Sequence, residues 1–186
     1  MNSKDRLVAL KALEIPTFEL FLRVMAIITE SCQTAGLLPI VVGGHAVSLY
    51  TRGDYATRDV DLIAPDNISE VLDSLSFVKA PGDRHWFHEE LNVAIEIPDR
   101  QLAGSMDKVI RLDLGDLGYV FVIGVEDLIL DRLRACVYWK SSVDCEWAQR
   151  LYLVHQESID NDYIRAQIDK EIGVLDIRRI FDTWAH

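Results

Sequence analysis

The sequence Val41-Val42-Gly43-Gly44-His45-Ala46-Val47, followed further along by Asp59-Val60-Asp61-Leu62, decides how the fold of this chain is interpreted. An apolar run that stops at two glycines and resumes with helical residues predicts a strand, a tight turn and the start of a helix. Glycine has no side chain, so the backbone at Gly43 and Gly44 can approach a phosphate closely, and the N-terminus of a helix attracts anions. The stretch therefore predicts a phosphate-binding turn.

Asp59 and Asp61 alternate with apolar residues, which is typical of a β-strand. Their side chains leave the same face of such a strand, with roughly 7 Å between the two Cα atoms. With nineteen aspartates in the chain, about two Asp-x-Asp pairs are expected by chance. The other pair, Asp160 and Asp162, opens a predicted helix, where acidic caps are common. Only the strand pair follows a Gly-Gly turn, so we expect only that pair to bind a cation.

The hydrophobic pattern predicts a mixed α/β front and an all-helical rear. The predicted strands span 38–42, 60–64, 92–97, 109–114 and 119–123, with extended arms around a turn within 77–87. The predicted helices span 17–35, 46–50, 67–75, 126–138, 144–156, 161–171 and 175–184. In the strand 92–97, Glu96 lies on the face opposite Val93 and Ile95.

Composition and charge limit the possible classes of function. The 186 residues are 49% hydrophobic, which is enough for one sizeable core or a core with a helical appendage. The formal net charge of −11 gives no general attraction to nucleic acids or anionic membranes, so we expect no non-specific DNA binding. No leader pattern and no apolar run of the roughly 20 residues that span a bilayer is present. We therefore expect a cytoplasmic protein without membrane contact.

The cysteines and histidines indicate neither disulfides nor zinc. Cys32, Cys136 and Cys145 are odd in number and contain no CxxC pair, which predicts reduced thiols. His85 and His88 have no third ligand at suitable spacing, so we do not expect a zinc site.

The order strand, Gly43-Gly44, helix, Asp59-x-Asp61 resembles the nucleotidyltransferase superfamily of the polymerase-beta type. The resemblance implies a third carboxylate on a later, neighbouring strand, and Glu96 matches by position and strand parity. It also implies an α/β (α+β) fold, with a small mixed β-sheet, helices on one side and a C-terminal helical bundle. The implied reaction transfers a nucleoside monophosphate from a nucleoside triphosphate, such as ATP, to a hydroxyl group, and releases pyrophosphate. We expect a nucleotidyltransferase-like core at 1–124 and a helical region at 125–186.

The rear half carries a second resemblance. Val125 to Arg132, then Trp139-Lys140-Ser141 and Asp144, is similar to the helical tail of stand-alone bacterial and archaeal nucleotidyltransferase-like proteins. That group is related to the nucleotidyltransferase components of abortive-infection and toxin-antitoxin systems, so a partner protein is a possibility. Two departures are visible: the fourteen-residue spacer between Gly44 and Asp59 exceeds the usual length by about one residue, and Tyr55 stands where relatives often carry a basic residue.

Each candidate residue has an expected role. Three carboxylates aimed at one point repel one another, and Mg²⁺, which accepts carboxylate and phosphate oxygens, relieves that repulsion. We expect Asp59, Asp61 and Glu96 to hold two Mg²⁺ ions about 3.5–4 Å apart, and Glu96 to help activate the attacking hydroxyl. The amides of Gly43 and Gly44 are expected to hold the β- and γ-phosphates. The remaining candidates for nucleotide binding are His45, Arg58 and Lys140.

Some assignments stay open on sequence alone. His45 is either a phosphate contact or a helix-start residue. Lys140 either faces the nucleotide or forms an intrahelical ion pair with Asp144. The acceptor is a small molecule, an RNA end or a protein hydroxyl. A catalytically silent nucleotide-binding or interaction module of a toxin-antitoxin type system is the alternative to an enzyme.

Overall fold

Seven β-strands form one mixed sheet in the computed structural model, which describes residues 2–82, 84–172 and 174–185. The strands are β1 (Ile40–Val41), β2 (Asp59–Ile63), β3 (Val78–Lys79), β4 (His85–His88), β5 (Val93–Glu96), β6 (Ile110–Asp113) and β7 (Tyr119–Val122). Their spatial order is β3-β4-β5-β2-β1-β7-β6. The pairs β2–β5 and β1–β7 are parallel, and the other four pairs are antiparallel.

Eight α-helices surround this sheet in the described ranges. They are α1 (Ser3–Leu10), α2 (Thr17–Thr34), α3 (Gly43–Tyr50), α4 (Ile68–Ser74), α5 (Val125–Tyr138), α6 (Ser142–His155), α7 (Asn161–Ile168) and α8 (Val174–Asp182). Short 3-10 helices lie at Met106–Lys108 and Gly115–Leu117. Seven of the α-helices were predicted, with ends within a few residues. The pattern did not predict α1, although the Asn2 side chain accepts a hydrogen bond from the Asp5 N–H at 2.8 Å, which is an N-cap.

The core lies against the face of the sheet formed by alternate residues of its central strands. Val60, Ile95 and Val122 on this face are fully buried, whereas Asp59 on the other face is exposed. Helix α3 packs on β2, and α2 packs on β7. The fold class is therefore the one expected from the sequence: a mixed β-sheet with helices packed against it.

The C-terminal helices pack on each other and on the front of the chain. α5 and α6 form a helical hairpin, and α5 also contacts α3, α7 and α8. One hydrophobic cluster includes Val47 of α3, Leu128 of α5 and Phe181 of α8. The division of the chain between residues 124 and 125 remains our proposal. In the described ranges, no helix combines the length and apolar character needed to cross a membrane.

The cysteines differ from the prediction. Cys136 and Cys145 form a disulfide that joins the last turn of α5 to the first turn of α6, with their Cα atoms 4.8 Å apart. The prediction of three reduced thiols was wrong because the turn between the helices brings together two cysteines that are separated in sequence. Cys32 is buried and free. Disulfides persist mainly in oxidising compartments, so the cytoplasmic location remains a proposal.

Candidate active site

Gly43 makes room for the carboxylate of Asp61. Gly43 is the first residue of α3 and has a φ of +59°, a conformation that favours glycine. A Cβ atom placed on Gly43 would overlap the Asp61 carboxylate. The Gly44 N–H then donates to Asp61 Oδ2 at 3.3 Å. The two glycines therefore have a structural role that the sequence did not reveal, because they let the Asp61 side chain approach the start of α3.

Gly44 is enclosed by the loop that leads to β2. A Cβ atom on Gly44 would lie 2.9 Å from Thr57 Oγ1 and 2.9 Å from Tyr55 Cε1. The Tyr55 ring packs edge-on against Trp147 of α6, with ring centroids 4.9 Å apart. The Tyr55 ring thus packs beside the start of α3. It occupies the sequence position where a basic residue was expected.

The three candidate carboxylates lie on one face of two neighbouring strands. In the parallel pairing of β2 and β5, Asp61 is opposite Glu96 and Asp59 is opposite Ala94. Neighbouring strands are about 4.8 Å apart, so the Asp61 and Glu96 side chains start close together. Val60 and Ile95 occupy the buried face, so Glu96 lies on the face opposite Ile95, as its parity predicted. The geometry brings Asp59, Asp61 and Glu96 to the same side of the sheet.

The electrostatic environment of Asp61 suits a cation. Burial raises the pKa of the Asp61 carboxyl to about 6, and the charge of Glu96 acts in the same direction. The Gly44 N–H and the charge of Arg132 oppose this increase in the pKa. A half-buried carboxylate beside other acids gains most when a positive ion binds to it. The oxygen donors of these residues are those that Mg²⁺ prefers.

Two basic side chains, Arg84 and His85, contact the carboxylate of Glu96. Arg84 Nε lies 3.0 Å from Glu96 Oε1, and His85 Nε2 lies 3.5 Å from Glu96 Oε2. His85 is opposite Glu96 in the pairing of β4 and β5. Within the described residues, no three His, Cys, Asp or Glu side chains form a group that could hold a metal ion. The carboxylates fit Mg²⁺ by donor type and face, but Glu96 must exchange its contact with Arg84 to join them.

His45 has a structural role in this arrangement. Its side chain is 1% exposed, and Nδ1 lies 2.9 Å from the Asp59 carbonyl oxygen. A carbonyl only accepts, so Nδ1 carries the proton and donates it. Burial lowers the pKa of His45, and its ring packs edge-on against Phe21. These contacts give the ring a packing role at the helix start, where it positions the backbone of Asp59, and the phosphate contact of His45 stays a prediction.

Arg58 and Lys140 are exposed. Arg58 directly precedes Asp59 at the start of β2, whereas Lys140 has a φ of +53° in the turn between α5 and α6. Neither side chain forms an ion pair with any described residue. The intrahelical pair of Lys140 with Asp144 was wrong, because Lys140 lies before α6 begins and Asp144 contacts Arg132 instead.

Arg132 of α5 acts electrostatically on the candidate site and was not among the residues expected there. Its charge acts on Asp61, and its guanidinium pairs with Asp144 at 2.9 Å and with Asp131 at 2.8 Å. Its Nε atom is buried without a hydrogen-bond partner among the described residues. A signal was present: Arg132 lies one turn from Leu128 and one turn from Cys136, which are both buried. A charged residue on the apolar side of a helix is unusual, because Arg is rarely buried unless it is paired.

No protein-family model matches the chain, and a search of curated proteins found no match. Solved structures do match it. An antigenic nucleotidyltransferase-like protein from Paracoccidioides brasiliensis aligns with a TM-score of 0.57 at 13% identity, over 84% of this chain and 92% of that chain.

ANT(2'')-Ia in complex with adenylyl-2''-tobramycin aligns with a TM-score of 0.55 at 12% identity, over 90% of this chain and 98% of that chain. The solution structure of the antibiotic-resistance factor ANT(2'')-Ia aligns with a TM-score of 0.54 at 14% identity, over 91% and 94% of the two chains. The three alignments cover 84–91% of this chain. This chain therefore has the fold of nucleotidyltransferase-like proteins.

Proposed function

We propose that the protein is a Mg²⁺-dependent nucleotidyltransferase that transfers a nucleoside monophosphate from a nucleoside triphosphate to a hydroxyl acceptor. The observation that carries this proposal is the pairing of Asp61 with Glu96 on adjacent parallel strands, with Asp59 on the same face. The Gly43-Gly44 helix start lies directly beside Asp61. The nucleotidyltransferase-like fold of the solved structures that match the chain supports the same reaction class.

Asp59, Asp61 and Glu96 are the residues that would hold two Mg²⁺ ions. When bound there, Mg²⁺ would neutralise charge on the triphosphate and stabilise the leaving pyrophosphate. The raised pKa of Asp61 reflects a negative charge that burial leaves poorly stabilised. A bound cation would stabilise this charge.

The start of α3 would receive the β- and γ-phosphates. In this proposal the backbone N–H groups of Gly43, Gly44 and His45 would point at the anion with the positive end of the helix dipole behind them, and the Gly44 N–H would exchange its contact with Asp61 for the phosphate. Arg58 and Lys140 are the exposed cationic side chains available to the triphosphate, whereas Arg132 is already paired with Asp131 and Asp144. Arg132 supplies the charge that Tyr55 cannot, since it acts on Asp61 from α5.

The proposed step conserves atoms and charge. The acceptor oxygen forms a bond to the α-phosphorus, and the bond from that phosphorus to the oxygen bridging the α- and β-phosphates breaks. Pyrophosphate leaves with the bonding electron pair, and the acceptor proton passes to Glu96. Arg84 lies at Oε1 of Glu96, so the proton would pass to Oε2 unless Arg84 first leaves Oε1.

The acceptor is a small molecule, an RNA end or a protein hydroxyl. The net charge of −11 opposes binding of RNA. One matching structure contains adenylyl-2''-tobramycin, a nucleotidylated small molecule, and this favours a small-molecule acceptor for the present chain.

The test is nucleotidyl transfer by the purified protein. ATP, GTP, CTP and UTP, each labelled at the α-phosphate, are incubated with Mg²⁺ and pools of small hydroxyl compounds, RNA or protein. We expect pyrophosphate release and a labelled product that chelation of Mg²⁺ abolishes. Asp61→Asn should lose this activity, whereas Asp162→Asn, from the other Asp-x-Asp pair, should keep it. If no pool gives pyrophosphate release and the protein does not label itself, the proposed enzymatic activity is refuted.

A silent nucleotide-binding or interaction module of a toxin-antitoxin type system is the second candidate. One observation favours it: both oxygens of Glu96 face basic partners, Arg84 and His85, rather than Asp61. Such a module would bind a nucleoside triphosphate with Mg²⁺ and release no pyrophosphate, even with its partner protein present. Measuring nucleotide binding and pyrophosphate release on the same sample separates the two candidates.

A further inference from the structure

A cavity of about 800 Å³ opens beyond the C-terminal ends of β2 and β5. Its apolar wall includes Ile68 of α4, Trp86 of β4 and Ile97 directly after β5. The volume is that of a site for a small molecule, since such sites occupy roughly 300–1,000 Å³. Parallel strands commonly place ligands beyond their carboxyl ends. The cavity is thus large enough and suitably placed for a ligand of its own.

Three cationic side chains line this cavity: Lys79, Arg84 and Arg100. Arg100 is paired with Asp66 at 2.5 Å, so its charge is neutralised locally. Lys79 forms no ion pair with any described residue and lies 5.6 Å above the Trp86 ring. Arg84 forms an ion pair with Glu96, which does not line the cavity.

The other acid in the cavity wall does not neutralise Lys79 or Arg84. Asp99 accepts hydrogen bonds from the backbone N–H of Arg100 at 2.6 Å and of Gln101 at 3.2 Å. Lys79 is therefore without an ion-pair partner among the described residues, and Arg84 has its ion-pair partner, Glu96, outside the cavity wall, in a protein whose formal net charge is −11. A ligand that carries a phosphate, sulfate or carboxylate group fits this charge distribution.

Arg84 connects the cavity to the carboxylates. Its Nε lies 3.0 Å from Glu96 Oε1, while the same side chain lines the cavity. A dianion in the cavity would compete with Glu96 for this guanidinium, because bidentate contacts with an anion are strong and directional. Once released, Glu96 starts directly opposite Asp61 on the neighbouring strand.

We propose that the cavity binds a small anionic molecule through Lys79 and Arg84, and that its binding draws Arg84 away from Glu96 and completes the set of three carboxylates. The second half of this proposal rests on the proposed function, because the release of Glu96 matters only if the carboxylates bind Mg²⁺. By linkage, the anion and Mg²⁺ raise each other's affinity by the same factor, and such factors are typically about 5–150.

Calorimetric titration of the full chain with sulfate tests the anion site. We expect saturable binding that Lys79→Ala weakens about tenfold, as loss of a charged hydrogen bond does. Lys11→Ala is the matched control, since Lys11 is an exposed lysine that pairs with Glu90 and does not line the cavity. Glucose 6-phosphate is the second probe: tighter binding than sulfate identifies an organic phosphate, and equal binding identifies a simple anion. No sulfate binding, or equal binding to both variants, would overturn the site.

Titration with Mg²⁺ tests the coupling. Sulfate should tighten Mg²⁺ binding to the wild type, and Arg84→Ala should bind Mg²⁺ more tightly than the wild type without sulfate, because Glu96 has lost its competing partner. A merely structural role for Arg84 predicts the reverse. Arg84→Lys keeps the charge and should retain weakened sulfate binding.

The outcomes separate the two proposals. Unchanged or weaker Mg²⁺ binding in Arg84→Ala overturns the coupling. If the wild type binds no Mg²⁺ at all, the proposed function fails and the coupling fails with it. The sulfate titration of Lys79→Ala still decides the anion site in that case.

Discussion

At the scale of single residues, the site depends on what Gly43 lacks. Its positive φ and the position of the Asp61 carboxylate exclude a side chain at the first residue of α3. His45 adds a second constraint, because its buried ring holds the backbone of Asp59 at 2.9 Å. Gly43 and His45 therefore fix the positions of Asp61 and Asp59 through contacts inside the protein.

We predict that Gly43→Ala destabilises the protein by about 1–3 kcal/mol more than Gly36→Ala, because only Gly43 faces a steric overlap. Gly36 is the matched control: its φ of +75° is equally unusual, but a Cβ there meets no atom within 4 Å. Urea unfolding of both variants measures the difference. Equal free energies of unfolding would contradict the close approach of Asp61 to Gly43.

His88 is a second residue with a testable effect. It is buried, and both ring nitrogens lack partners among the described residues. Burial lowers its pKa from the ordinary value of 6.5, while Glu90 and Lys4 act in opposite directions on that pKa. A base with a lowered pKa binds fewer protons in the folded state, so the free energy of unfolding should decrease as the pH falls below 6.5.

We predict that His88→Leu removes this part of the pH dependence and stabilises the protein by about 1 kcal/mol at neutral pH, since it removes two unsatisfied polar atoms. Thermal unfolding of the wild type and the variant between pH 5 and pH 8 measures both effects. Parallel pH profiles for the two proteins would show that His88 is not the group responsible.

At the scale of elements, the hairpin of α5 and α6 holds Arg132 beside the carboxylates. The Arg132–Asp144 ion pair and the Cys136–Cys145 disulfide join the same two helices one turn apart. Because Arg132 is largely buried and pairs with Asp144 of α6, its position depends on how the two helices pack.

We predict that Cys145→Ser lowers the free energy of unfolding by about 2–3 kcal/mol, the chain-entropy value for a loop of this length. Denaturation of the wild type with and without a reducing agent, beside the variant, measures this effect. The reducing agent should lower the stability of the wild type only. A variant that remains sensitive to reduction would show that another process is responsible.

The elements also show how much of the site the sequence predicts. The alternation of side chains on strands placed Asp59, Asp61 and Glu96 on the exposed face, because that period is local. The contact of Glu96 with Arg84 depends on how β4 pairs with β5, and the contact of Arg132 with Asp144 depends on how two helices return past each other. Such contacts between distant segments leave no periodic pattern in a single sequence.

At the scale of the whole molecule, one fold brings together the carboxylate face proposed to bind Mg²⁺, the helix start proposed to bind phosphates and a cavity lined by cationic side chains. The acidic chain concentrates negative charge where a metal–nucleotide complex would bind, and Lys79 and Arg84 form a local exception to that charge. The central claim is that Asp61 and its neighbouring carboxylates bind Mg²⁺ together with a nucleoside triphosphate.

The most direct test is calorimetric titration of Mg²⁺ into the protein saturated with a non-hydrolysable nucleoside triphosphate analogue. We predict saturable binding to the wild type and to Asp162→Asn, and loss of affinity by about tenfold or more in Asp61→Asn, because a charged ligand to the metal is removed. Equal Mg²⁺ affinity in Asp61→Asn and the wild type would contradict the claim.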